Sequence, residues 1–239
     1  MQAGDDISTT IRGHPTMRAL LLAATAIAAL SAAPAIAMPT CTGTTQTVNS
    51  GDTVTTAFLT TAGNCVEAGD KVFGDFAVTG AGSGSSSFSF IGPLANVTLG
   101  FQGAINPNTV ATLHYQVAIN PDITTAMRIV ALQKDFTLNS DVLNAPATAT
   151  LTGTTNPATT PPVAISCTRT VNPSTSGCPE TDSFAPVEFL VIDETLTTGT
   201  NAVVTALTDT IYQAAVPEPA TLGILGLGLL GLVAARRRA

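Results

Sequence analysis

Thr112-Leu113-His114-Tyr115-Gln116-Val117-Ala118-Ile119 is the stretch that decides the fold. Leu113, Tyr115, Val117 and Ile119 fall on one side of an extended chain, and Thr112, His114 and Gln116 on the other. Successive side chains of a strand point to opposite faces, so a period of two predicts a strand with one buried side. The same signal recurs in Val72, Phe76 and Val78 with Gly74 between them, in Phe88 with Phe90, in Val97, Leu99 and Phe101, and in Val187, Phe189 and Val191. From Thr124 to Gln133 two readings compete: Met127, Ile129 and Ala131 alternate, whereas Ala126, Val130 and Lys134 would line a short helix. Strand is preferred.

Turn residues separate these runs: Gly80 to Ser87, Gly92-Pro93, Asn106-Pro107-Asn108, Asn120-Pro121-Asp122 and Asn144-Ala145-Pro146. Thr is the commonest polar residue, and no apolar stripe of helical period persists. Short strands with frequent turns predict an all-β, antiparallel β-sandwich ectodomain over residues 38–215. Ala81 to Ser87 reads as a Gly/Ser loop tip, and Gly153 to Pro162 as a Thr/Pro/Asn loop at which the domain divides.

Charge limits the partners. Residues 38–215 carry four basic side chains, Lys71, Arg128, Lys134 and Arg169, against thirteen acids between Asp52 and Asp209. Such a surface repels phosphate backbones, which excludes nucleic acid as a partner. A polyanionic matrix polymer would need bridging divalent cations.

All four cysteines, Cys41, Cys65, Cys167 and Cys178, lie in this domain. An even number in an exported chain points to disulfides and allows three pairings. Cys41 with Cys65 and Cys167 with Cys178 are favoured, because each pair closes a short local loop. A metal site is the competing reading, but no CxxC or CxxH spacing occurs.

Little in the sequence suggests catalysis. Nucleophilic chemistry needs a base beside Ser or Cys, and His114 is the only imidazole in the domain, on the polar face of its strand. Asp193 and Glu194 are adjacent, so on a strand they point to opposite faces and cannot share a sugar ring. Asp52, Glu67, Asp70 and Asp75 read as solvated turn residues, and no D-x-D-x-D-G calcium loop or phosphate-binding loop exists. No catalytic residue, metal site or cofactor is assigned. A hydrolase with an unrecognised site and a Ca-dependent, polysaccharide-binding adhesin-like module are the alternatives to a structural role.

The two ends carry addresses. Met17-Arg18 opens a basic region, Ala19 to Ser31 is apolar, and Ala35-Ile36-Ala37 is a small-residue cleavage site, so residues 17–37 read as a secretory signal helix cut before Met38. Residues 1–16, with Asp5 and Asp6, do not fit a basic n-region and read as an extension upstream of the true start at Met17. Beyond the domain, Val216-Pro217-Glu218-Pro219 leads into an uncharged run from Ala220 to Ala235, and Arg236-Arg237-Arg238 follows. The prolines hold the chain extended, residues 220–235 suit a transmembrane helix, and the arginines keep their end in the cytoplasm. The run is shorter than the ~20 residues a span usually needs, which suits a temporary anchor better than a permanent one.

That order of parts resembles the PEP-CTERM sorting signal of Gram-negative bacteria. The resemblance covers residues 216–239 and implies an exosortase, a membrane-embedded cysteine transpeptidase, as the processing partner. It makes Pro217, Glu218 and Pro219 the recognition residues and Arg236, Arg237 and Arg238 the stop signal. A softer likeness to PEP-CTERM ectodomains lies in Cys41, Gly63-Asn64-Cys65 and Gly69-Asp70-Lys71-Val72-Phe73; it implies a β-rich ectodomain and names no reaction. The expectation is an exported, non-enzymatic protein, anchored transiently in the inner membrane and then placed at the cell surface or in the extracellular matrix. An extracellular polysaccharide is the candidate partner there.

Overall fold

The computed structural model describes residues 39–80, 86–92, 96–120, 127–157 and 163–215. The signal helix 17–37, the transmembrane helix 220–235 and most of the Gly/Ser tip lie outside the described residues. Fourteen strands are described: β1 (Thr45–Val48), β2 (Thr53–Thr55), β3 (Cys65–Ala68), β4 (Lys71–Thr79), β5 (Ser87–Ile91), β6 (Asn96–Ile105), β7 (Val110–Ile119), β8 (Met127–Ser140), β9 (Ala147–Pro157), β10 (Val163–Val171), β11 (Thr175–Ser176), β12 (Glu180–Val187), β13 (Phe189–Thr198) and β14 (Ala202–Ala215). One helical turn, α1 (Thr56–Leu59), follows β2; the Thr55 hydroxyl caps it by accepting from the Phe58 N–H.

The strands form two sheets. One runs β1-β3-β4-β7-β13-β9-β10-β11 and the other β12-β8-β14-β6-β5-β2. Pairing is antiparallel except between β1 and β3, which run parallel. A sandwich-like core lies between them: Phe73 and Phe76 of β4 meet Phe90 and Phe88 of β5, with ring centroids 5.3 and 5.4 Å apart, and Phe76 stacks on Tyr115 at 5.4 Å. At one edge the sheets approach each other, where the Ser166 N–H of β10 donates to Glu180 Oε2 of β12 and Arg169 of β10 pairs with Asp135 of β8. Outward-facing threonines satisfy one another across strands, as in Thr79 with Thr112, Thr98 with Thr210 and Thr150 with Thr168.

β7 has the expected alternation, with Leu113, Tyr115, Val117 and Ile119 buried. Three sequence expectations change. Gly153 to Pro157 is not loop: it pairs with β13 on one side and, through Thr155, with β10 on the other. Its backbone polar groups are satisfied in the ladder although its side chains are too polar to announce a core strand. The domain does not divide there, because Ala149 and Leu151 join a single core cluster with β4, β6 and β14. Val187 and Val191 belong to different strands, and the buried column of β13 is Leu190, Ile192, Glu194 and Leu196, one residue out of register with the predicted face. Shifting a strand by one residue exchanges its two faces.

The disulfides join Cys41 to Cys65 and Cys167 to Cys178, the pairing that the short loops favour, with Cα atoms 5.5 and 5.3 Å apart. The Gly63-Asn64-Cys65 turn braces the first: Asn64 accepts from the Thr44 N–H and donates to the Phe58 carbonyl.

Candidate functional site

Two polar clusters stand out, one on the outside of the sandwich and one inside it. Outside, His114 of β7 and Asp193 of β13 are direct cross-strand partners. Nδ1 of the imidazole lies 2.6 Å from Asp193 Oδ1, and Nε2 lies 3.5 Å from Asp75 Oδ2. Asp75 reaches the ring because β4 bulges between Gly74 and Ala77, which puts Asp75 at a φ of 55°. Gln116 then donates to Asp75 at 2.9 Å. Partial burial pulls the His114 pKa down, but Asp193 and Asp75 outweigh it and hold the pKa above its ordinary value. With a carboxylate near each ring nitrogen, the surface cluster favours the cationic form of the imidazole. Neither nitrogen is free to activate a hydroxyl.

Inside, four polar side chains take core positions in four strands. Each sits in an otherwise apolar column: Leu132, Lys134 and Phe136 in β8; Ile192, Glu194 and Leu196 in β13; Leu207, Asp209 and Ile211 in β14; Leu113, Tyr115 and Val117 in β7. Lys134 and Asp209 are neighbours across the β8–β14 ladder. Glu194 faces them from the opposite sheet, and its Oε1 meets Lys134 Nζ. The Tyr115 hydroxyl donates to Asp209 Oδ2 at 2.6 Å. Glu194 Oε2 and Asp209 Oδ1 are buried with no conventional donor.

Burial and the neighbouring Asp209 raise the Glu194 pKa to about 8, against the pull of Lys134. At neutral pH Glu194 therefore tends to keep its proton, which gives the two orphan oxygens a shared hydrogen bond. Desolvation pulls Lys134 down, but Glu194 and Asp209 raise its pKa overall. Burial, then Asp209 and Glu194, push the Tyr115 phenol well above its usual value. Room for the ammonium comes from β9, where a Cβ on Gly153 would lie 2.8 Å from Lys134 Nζ. Gly153 is also the cross-strand partner of Glu194. A small apolar pocket of about 20 Å³, lined by Glu194, Leu113, Leu196 and Leu207 among others, adjoins the carboxyl. That is enough for one water.

The sequence reading missed this inner cluster because it treated the acids and Lys134 as surface charges. The signal was present: a charge in the apolar column of an alternating strand is a buried charge. Asp70 is a second correction. It lies in the turn between β3 and β4, as expected, but is 6% exposed rather than solvated, and it accepts from the fully buried Lys71 at 2.8 Å. Desolvation lowers the Lys71 pKa despite Asp70. Asp75 belongs to a strand bulge rather than a turn, though it is exposed as expected. Asp193 and Glu194 do point to opposite faces, and the inner carboxyl pair is Glu194 with Asp209.

Among the described residues no group of three or more His, Cys, Asp or Glu is disposed to hold a metal ion. No helix among them is long and apolar enough to cross a membrane. The sorting-signal residues Pro217, Glu218, Pro219, Arg236, Arg237 and Arg238 lie outside the described residues.

The described domain is thus β-sandwich-like, with charged groups built into its core. The chain also carries a PEP-CTERM protein-sorting motif, matched over residues 215–238. No curated protein matches it. Among solved structures, a TmCBM61 complex with β-1,4-galactotriose aligns at 8% identity and a TM-score of 0.30, over 59% of this chain and 88% of the other. That likeness is too low to carry an argument.

Proposed function

We propose that the protein is exported, anchored transiently in the inner membrane by its tail, and processed by an exosortase. It then serves a structural, non-enzymatic role at the cell surface or in the extracellular matrix. The observation that carries this reading is the sorting motif at residues 215–238, whose Pro217-Glu218-Pro219, apolar run and Arg236 to Arg238 occur in the required order. A cut near Val216 falls directly after β14, which ends at Ala215 with its last two residues exposed, so processing leaves the described sandwich whole. The paired cysteines suit an oxidising compartment. The non-enzymatic assignment draws support from His114, whose ring nitrogens both face carboxylates.

Replacing Glu218 by Ala in the native host tests the reading. The expected product keeps Arg236 to Arg238 and stays in the membrane fraction. A variant processed and released like the wild type would show that the motif is not read.

A further inference from the structure

Lys134 and Glu194 come from opposite sheets and meet where water is excluded. The Lys134 side chain is 0% exposed and that of Glu194 is 1% exposed. Asp209 lies within hydrogen-bonding reach of the same Glu194 carboxyl and is held on its other side by Tyr115. An amine, a carboxyl acceptor and a second carboxyl able to move protons between them are the components of amide formation.

We propose that Lys134 Nζ and Glu194 Cδ are joined by an intramolecular amide bond formed in the folded domain, with Asp209 as the proton carrier. Glu194 is held in its protonated form, so one proton must leave the Lys134 ammonium before Nζ can react, and the Asp209 carboxylate takes it. The Nζ lone pair attacks Cδ and gives a tetrahedral centre. Asp209 passes its proton to the Oε2 hydroxyl and takes a second one from Nζ, the Cδ–Oε2 bond breaks, and one water leaves. The sum is ammonium, carboxylic acid and the Asp209 carboxylate going to amide, water and protonated Asp209, with no oxidant and no external reactant. Proximity replaces activation, since holding the reacting groups together supplies much of the barrier otherwise met by a bimolecular encounter.

Three further features fit this chemistry. Gly153 leaves the space that Nζ occupies. Glu194 tends toward its protonated form, as an acceptor carboxyl must. The small pocket at Glu194 has room for the departing water. The product would tie β8 of one sheet to β13 of the other, a covalent brace between sheets that each disulfide, closing a local loop, does not supply.

The test is mass spectrometry of the full chain recovered from its native host, denatured and with its disulfides reduced. The expected result is a mass lower by one water than the sequence requires for the observed ends. Protease digestion should then release a branched peptide joining the segment with Lys134 to the segment with Glu194. Asp209→Asn should keep the full mass and give only linear peptides. A wild-type chain at full mass with no branched peptide would overturn the proposal, whether or not the variant folds. A branched peptide from Asp209→Asn would overturn the role given to Asp209.

Discussion

Replacing Lys134 by Met keeps much of the side chain's volume and removes its charge. Glu194 and Asp209 then stand in the core without their cation, in a site where Glu194 is 3% and Asp209 1% exposed. Breaking a buried pair from one side costs about 3–5 kcal/mol. For a domain of this size that corresponds to a melting temperature lower by roughly 6–20 °C, at ~2–4 °C per kcal/mol. The loss should also depend on pH. In the variant Glu194 loses the one neighbour that lowers its pKa, so the native state holds the proton to about 8 or beyond. The unfolded chain releases it near the ordinary value of 4.5. Between those limits the native state binds more protons, and stability falls as pH rises. Adding Glu194→Leu separates a plain ion pair from a bond. An apolar replacement of an ion pair is often neutral or stabilising, whereas loss of a link between residues 60 positions apart costs about 4 kcal/mol in the chain-entropy estimate. Thermal and urea melts of the wild type, single and double variants give the numbers. A single variant within about 1 kcal/mol of wild type would refute the reasoning that Lys134 is a desolvated, paired cation.

The remaining predictions address other parts of the account. His114 has a folded pKa above its ordinary 6.5, so its contribution is fully present below 6.5 and is lost as pH rises through the folded value; His114→Gln should flatten that part of the melting-temperature profile, and an unchanged profile would remove the surface ion cluster as a source of stability. Replacing Cys167 and Cys178 by Ser together should cost about 3 kcal/mol, read as a lower urea midpoint, since their separation is 11 residues; no shift would mean that this bridge adds nothing. Gly153→Ala should destabilise by about 1–3 kcal/mol because its Cβ would crowd Lys134 Nζ and the Asp193 carbonyl. A change within ~0.5 kcal/mol, as at an unconstrained surface site, would show that the space is not needed.

How far the fold was legible depended on how each strand is buried. β7 lies in the middle of its sheet with one face on the core, and Leu113, Tyr115, Val117 and Ile119 therefore spell out its geometry. β9 is likewise paired on both sides, but Gly153, Thr154, Thr155 and Asn156 lack the apolar residues that mark a strand, so only the ladder reveals it. β13 was found one register out because Phe189 and Val191 look like core residues while Glu194 does not. The inner cluster was less accessible still. Lys134, Glu194 and Asp209 are far apart in the chain, and it takes the strand order, with β8 beside β14 and β13 in the opposing sheet, to bring them together. Once that order is known, their positions in apolar columns account for their burial. The sorting signal was readable for the opposite reason: its information is local, held in contiguous residues whose chemistry needs no partner elsewhere in the chain.

The intact mass of the protein recovered from the surface and medium of its native host tests the export and sorting account most directly. The account predicts a species that begins at Met38 and ends near Val216. A species that still carries Arg236, Arg237 and Arg238 would contradict it, and would make the tail a simple anchor.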